Sequence, residues 1–328
     1  MGGLGIRRAT TLALPAFLAS AASTLPLQTL ILNSLNLTPD THFEAMSSEW
    51  RSKTDFNDSE NMPTNKQALW DKPLLEQTLK TLFQDTIDPY NTARMKAISS
   101  PHASDWLHAL PITACGLRLD NEDVRVAVGL RLGATICEPH ICACGARIDA
   151  RGSHGLSCSL GFGRIARHNT INDIIHRSLS KAGIPSIKEP PGLLRTDGRR
   201  PDGLTMIPWR AGRHLVWDAT VVDTLAPSYV QATAATAGAA AEIATERKMS
   251  KYNALLNTHF FVPLAIETLG PINITGQNFI SDLGRSLTLS TEDKRETCFL
   301  LQRLSITIQR FNSVAFRGTL AEPDLREM

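Results

Sequence analysis

The sequence predicts an α/β fold: a helical amino-terminal connector, a small module rich in Cys and His, and an αβ core followed by carboxy-terminal helices. Three observations predict it. Residues 199–224 hold two runs of strand-forming residues, Leu204, Met206 and Ile207, then Leu215, Val216, Val221 and Val222, punctuated by the segment 208–212. Residues 233–256 are Ala-rich, carry Glu242, Glu246, Arg247, Lys248 and Lys251, and read as the longest helical stretch of the chain. An apolar run, HFFVPLAIETLG, follows as a buried strand. The order helix, strand, hairpin, helix, strand describes a small α/β domain.

Taken in order, the amino terminus pairs two arginines with an apolar run and small residues, in the manner of a secretory signal. Pro15 interrupts that run, which reads as too short and too broken to span a bilayer. The better account is a short amphipathic helix starting near Pro15, with Leu14, Phe17 and Leu18 at helical spacing, inside a connector covering 1–32. Its unpartnered apolar side suggests a piece of a longer protein. Residues 33–65 shift to Asn, Ser, Thr, Asp and Pro and are expected to be a linker or long loop. Helical periodicity resumes through Leu69, Leu74, Leu75, Leu79 and Leu82, opening a mostly helical connector over 66–135. Within it Val124, Val126, Val128, Leu130 and Leu132 alternate with polar or small residues, which fits either strand or helix.

Residues 136–160 form the Cys/His module. Cys142, Cys144, His154 and Cys158 supply three thiolates and an imidazole, the donors zinc prefers, and four of them close a tetrahedral structural site. Cys142 and Cys144 are spaced more tightly than CxxC, and Cys137 or His140 competes for a ligand place. Gly145, Gly152 and Gly155 let the chain turn back onto an ion. The plainer account is a set of buried free cysteines. Thiols crowded beside histidines favour metal over disulfides and point to a reducing compartment.

Residues 161–275 make up the core. An amphipathic helix ends at Gly183, with Ile165, Ile171, Ile174, Ile175 and Leu179 on its apolar side and Arg164, Arg167, His168 and Arg177 supplying cations. A short strand, SIKEPP, precedes the hairpin. Asp202 opens the hairpin's first strand and Asp218 lies inside the second, in a run too apolar for an exposed edge. Buried carboxylates need a partner. Two of them across paired strands suit Mg²⁺, which takes one or two carboxylates and keeps waters and phosphate oxygens. The plainer account has Asp202 capping a turn and Asp218 pairing with an arginine. Residues 276–328 are read as a helical segment, with an amphipathic helix over 292–311.

Net charge is only +2, but 141–213 holds 12 Arg or Lys against 5 Asp or Glu. The positive charge is local, as on a face that meets a polyanion.

These landmarks together resemble the carboxy-terminal region of the polyprotein of site-specific non-LTR retrotransposons. There a reverse transcriptase is followed by a CCHC zinc motif and a restriction-endonuclease-like domain. The resemblance rests on the order of four elements: the Cys142, Cys144, His154, Cys158 cluster; Arg167-His168-Asn169; Arg200-Pro201-Asp202 with Asp218; and Lys248 with Tyr252. It implies a variant PD-(D/E)xK core with Asp202, Asp218, Lys248 and Tyr252 as catalytic residues. It also implies Arg164, Arg167, His168, Asn169, Arg199, Arg200 and Lys251 as nucleic-acid contacts, structural zinc and catalytic Mg²⁺. Thr220 stands two residues after the second acid, where the standard core has lysine, so Lys248 is the substitute cation. The implied protein is a Mg²⁺-dependent DNA endonuclease that nicks target DNA in the nucleus, with DNA and the element's RNA as partners. No membrane and no small-molecule cofactor are expected. No polymerase-type aspartate pair precedes the connector. The alternatives are a nucleic-acid-binding module with an inactive nuclease core, and a remnant without a role.

Overall fold

The acid-bearing hairpin forms where its composition requires, but its turn is tighter than 208–212. In a computed structural model, which describes residues 3–35, 41–56, 62–63, 66–161, 163–193, 198 and 200–320, the turn is Ala211-Gly212 alone. Their φ angles of 48° and 72° give the doubly left-handed turn that matches strand twist. Pro208 stays in the first strand, at a register irregularity where a missing N–H is tolerated.

The described chain divides into two compact units, 3–87 and 88 onward, and the connector expected over 66–135 spans that division. The first unit holds three helices, α1 (Ala9–Leu35), α2 (Thr41–Ser52) and α3 (Gln67–Asp85). Two corrections belong here. Helix α1 is 27 residues long and runs through Pro15 and Pro26, so the short helix starting near Pro15 is extended at both ends. By length and composition α1 is apolar enough to cross a membrane. The stretch 33–65 is not all linker, because α2 lies within it. Phe43, Met46 and Trp50 repeat at helical spacing along α2 and join a cluster around Leu18 and Trp70. Trp50 Nε1 donates to Trp70 O at 2.9 Å, and the two rings meet nearly edge to face. Composition alone hid this stripe. Residues 36–40, 57–61, 64 and 65 of the expected linker lie outside the described residues.

In the second unit, α4 (Pro89–Ser99) starts on an Asp88 cap, and α5 (Asn121–Leu132) on a capping box between Asp120 and Asp123. The ambiguous valine run is therefore helix, with Val126, Ala127 and Leu130 buried and Gly133 closing it. The Cys/His module contributes β1 (His140–Ile141), β2 (Arg147–Ile148) and the single turn α6 (His154–Ser157).

The core follows with α7 (Arg164–Lys181), β3 (Ser186–Lys188), β4 (Gly203–Arg210), β5 (Arg213–Val222), α8 (Val230–Ala235), α9 (Ala239–Lys251), β6 (Phe260–Glu267), α10 (Ile274–Thr291) and α11 (Glu296–Arg317). The strands lie in the order β3-β4-β5-β6. The first two pairings are antiparallel, and β5 runs parallel to β6 through the α9 crossover. Residues alternate across the sheet. Leu215, Trp217 and Ala219 pack with α7, α10 and α11, while Val216 and Ala265 face the side covered by α9 and Tyr252. Asn273 covers the outer edge of β6, accepting from Ala265 N and donating to Pro263 O.

Two further readings are corrected. The stretch 233–256 is not one helix, since Gly238, with φ of 82°, separates α8 from α9. The final helix runs Glu296–Arg317 rather than 292–311, and α10 precedes it.

Gly203 positions the hairpin. A Cβ there would stand 2.0 Å from the Trp217 ring, which is pinned by its Nε1 donating to Asn172 Oδ1 at 3.1 Å. Gly203→Ala is expected to cost about 2 kcal/mol or more in urea unfolding, toward the upper range for overpacked cores. A loss well under about 1 kcal/mol would mean that the ring moves freely.

Candidate functional site

Two strands and two helices converge on the acid pair. Gly203 pairs with Trp217 and Leu204 with Val216, which sets Asp202 level with Asp218 across β4 and β5. Both acids are buried. A different helix serves each one. From α7, His168 Nε2 lies 3.0 Å from Asp202 Oδ1, and since a carboxylate only accepts, that nitrogen carries the proton. From α9, Lys248 Nζ comes within 2.5 Å of Asp218 Oδ2. Asp202 Oδ2 also accepts from Ala219 N at 2.6 Å, so this carboxylate ties the two strands together.

The electrostatics follow from the burial. Desolvation, then the charge of Asp202, pushes the Asp218 carboxyl up, and Lys248 pulls it down. The bond to Asp202 raises His168, against its own partial burial. The contact of Lys248 with the buried Asp218 Oδ2 is an ion pair at hydrogen-bonding distance.

The other expected residues are placed as follows. Tyr252 is buried against Val216 and Phe261 as the C-cap residue of α9. Its hydroxyl donates to Arg200 O at 2.9 Å and accepts from Lys251 Nζ at 2.7 Å. Tyr252 therefore holds the backbone two residues before Asp202. Arg200 is exposed and paired with Glu189. Arg199 lies outside the described residues. Arg164 and Asn169 are exposed on α7, whereas Arg167 is buried, its guanidinium lowered to about 10 mainly by desolvation. A cleft of about 520 Å³ opens beside them, lined by Leu160, Arg164, Ile165, Arg167, His168 and Thr220 among others. Thr220 lies two residues from Asp218, so the cleft leads along β5 toward the acids.

Asn172 escaped the sequence reading. Its Oδ1 accepts from Trp217, and its Nδ2 lies 3.1 Å from His168 Nε2. The available signal was its position one helical turn after His168.

The second candidate site is the Cys/His module. The ligand atoms of Cys142, Cys144, His154 and Cys158 all lie within 4.8 Å of one another and could hold a metal ion such as zinc. Cys142 Sγ and Cys158 Sγ are 3.7 Å apart, and Cys144 Sγ and His154 Nε2 3.2 Å. Two thiolates at about 2.3 Å from a tetrahedral ion stand about 3.8 Å apart, so the spacing fits. The two competitors are engaged elsewhere. The Cys137 thiol donates to Asp149 O, and His140 contacts Glu138 O and Thr319 Oγ1. Gly145, with φ of 85°, makes the β1–β2 turn. Gly155 has a different reason. It is helical, and a Cβ there would press on the Phe316 backbone at 3.0 Å.

No family model matches the chain, and no curated protein matches it in sequence.

Purified protein is expected to carry about one zinc per chain, because four ligands leave no open coordination position. Cys158→Ser should lose the metal and the local fold together, read by elemental analysis and near-UV circular dichroism. Zinc retained in full after replacing all four residues would overturn the assignment.

Proposed function

We propose that this chain is a metal-dependent DNA endonuclease with a restriction-endonuclease-like core, acting in the nucleus as part of a non-LTR retrotransposon protein. The observation that carries the reading is the meeting of Asp202, just before β4, Asp218, in the middle of β5, and Lys248 of the crossover helix. The order helix, strand, hairpin, helix, strand supports it, as does a Cys/His module directly before the core.

The acid pair suits a hard cation. Asp202 and Asp218 stand opposite each other across the paired strands, both carboxylates buried. Bound there, Mg²⁺ would polarise a phosphodiester and lower the pKa of a water. The remaining roles belong to the chain. Lys248 neutralises the buried Asp218 and is the cation nearest to charge developing on a phosphate. His168 orients Asp202, so it contributes through the acid rather than as a backbone contact. Tyr252 fixes the approach to Asp202 through the Arg200 carbonyl. Arg164 and Asn169, beside the cleft, meet the nucleic-acid backbone, with DNA as substrate and the element's RNA as a further partner.

A second reading is favoured by a specific observation: both acids already have a partner, His168 at Asp202 and the Lys248 cation at Asp218, so the site is satisfied without metal. On that reading the chain binds nucleic acid and does not cut.

Nicking of supercoiled plasmid with Mg²⁺ separates the two. Asp202→Ala and Asp218→Ala are expected to lose nicking by about a thousand-fold or more, with DNA affinity kept or slightly increased. Lys248→Met should lose rate by roughly a hundred-fold with metal affinity little changed. If wild type leaves plasmid, single-stranded and duplex oligonucleotides uncut in Mg²⁺, the binding reading replaces the enzyme.

DNA affinity itself is expected to fall about a hundred-fold between roughly 50 and 200 mM salt, as for about four neutralised phosphates. A dissociation constant indifferent to salt would contradict a backbone-binding face.

A further inference from the structure

Helix α9 carries Lys248 but has no local start. Its N-cap is Gly238, in a left-handed conformation, and no side chain near it in sequence caps the first turn. An uncapped start leaves backbone N–H groups unsatisfied, at a cost when they are buried. Here the acceptor comes from the sheet. Glu267, the last residue of β6, turns its Oε1 to Ala240 N at 3.0 Å and Ala241 N at 3.2 Å. Glu267 is fully buried, and besides these two N–H groups the Thr224 hydroxyl also pulls its carboxyl down. Burying a carboxyl is costly even with such donors, so its placement calls for an explanation beyond burial. Burial pushes it up to about 7, against the pull of the two N–H groups.

The geometry explains the cost. Ala241, Ala244 and Lys248 share one face of α9, at positions i, i+3 and i+7. The first two pack on Ala265 of β6, and Val222 of β5 lies against the same patch. Val222 pairs with Glu267, and four residues earlier on each strand Asp218 pairs with Pro263. Four strand residues span about 13 Å. From Ala241 to Lys248 the helix rises about 10.5 Å. The helix is thus held at both ends of the same strand segment: the Glu267 carboxyl grips its amino end, and the Lys248–Asp218 pair closes the other.

We propose that Glu267 is a positioning residue for Lys248: by capping α9 from the sheet, it sets the distance at which the lysine meets Asp218. The placement of Lys248 does not require that the chain cuts DNA, but the catalytic value of that placement rests on the endonuclease reading. The alanines along the packed face interlock little with the strands, and Tyr252 anchors the far end of the helix. The two bonds from Glu267 fix its amino end.

The test measures Lys248 directly, so that it works whether or not the protein is a nuclease. Full-length wild type and variants are labelled with an amine-reactive reagent, and Lys248 is followed by peptide mass spectrometry, with Lys181 and Lys188 as folding references. In Glu267→Ala, Lys248 is expected to label about five-fold faster, while the reference lysines are unchanged. Glu267→Gln keeps an oxygen for Ala240 and Ala241 and should restore wild-type labelling, a rescue that general loss of packing would not give. If Glu267→Ala does not fold, Glu267→Asp, which withdraws the acceptor by one methylene, carries the same comparison. Asp223→Asn, at a buried carboxyl immediately after β5 with no bond to α9, should leave Lys248 unchanged. Equal Lys248 labelling in wild type and the folded Ala or Asp variant overturns the inference, as does a Gln variant that labels like Ala. In nicking assays the Ala variant should lower kcat with KM little changed. Faster labelling of Lys248 in Glu267→Ala, together with a wild type that never nicks, would sink the endonuclease reading and leave the positioning role standing.

Discussion

Two carboxylates buried side by side in a sheet repel one another and lose their hydration, so they persist only where the surrounding structure supplies positive charge or hydrogen-bond donors. That constraint organises the second unit. Asp202 and Asp218 are brought level by the antiparallel pairing of β4 and β5, and each is answered from a different helix. His168 reaches Asp202 from α7, and Lys248 reaches Asp218 from α9. The helices lie against residues of alternate parity on β5, so the charge balance spans the layers of the fold. Loss of either helix's placement would leave an uncompensated buried charge.

The arrangement of small and large residues follows from the same requirement. Gly203 lets the Trp217 ring lie against the neighbouring strand, and Asn172 holds that ring from α7. On the other face the alanines of α9 allow the helix close to the strands, which shortens the reach of Lys248. Tyr252 and Lys251, at the helix's end, grip the backbone before Asp202 through the Arg200 carbonyl. The acid pair is therefore framed by contacts to main chain as well as by ion pairs.

The Cys/His module stands directly before α7 and reaches the core through packing. Gly152 and Gly155 lie against Phe316 of α11, and His140 meets Thr319. The module positions Ser159 and Leu160 at the cleft next to His168. An ion held by the cluster would be linked to the shape of that cleft, because Cys158 is the residue before Ser159.

Sequence alone determined the elements whose signal is local. The hairpin, the strand over Phe260–Glu267 and the clustering of Cys142, Cys144, His154 and Cys158 were legible because alternation, apolar runs and ligand chemistry are properties of short stretches. So was the isoleucine face of α7. What sequence misjudged were features set by a partner far along the chain. Helix α2 was concealed in polar composition because its stripe, Phe43, Met46 and Trp50, has meaning only against Trp70 and Leu18. The break at Gly238 was hidden by alanines that favour helix on both sides, and the actual start of α9 is fixed by Glu267 from β6. The exclusion of Cys137 and His140 from the cluster also needed coordinates, since each finds a different acceptor or neighbour at a distance. His168 was legible as a cation on α7, but its bond to Asp202 was not, for spacing along a helix says which residues share a face and not what stands opposite them. The tertiary structure decided the pairings, because burial and charge balance are settled between segments rather than within them.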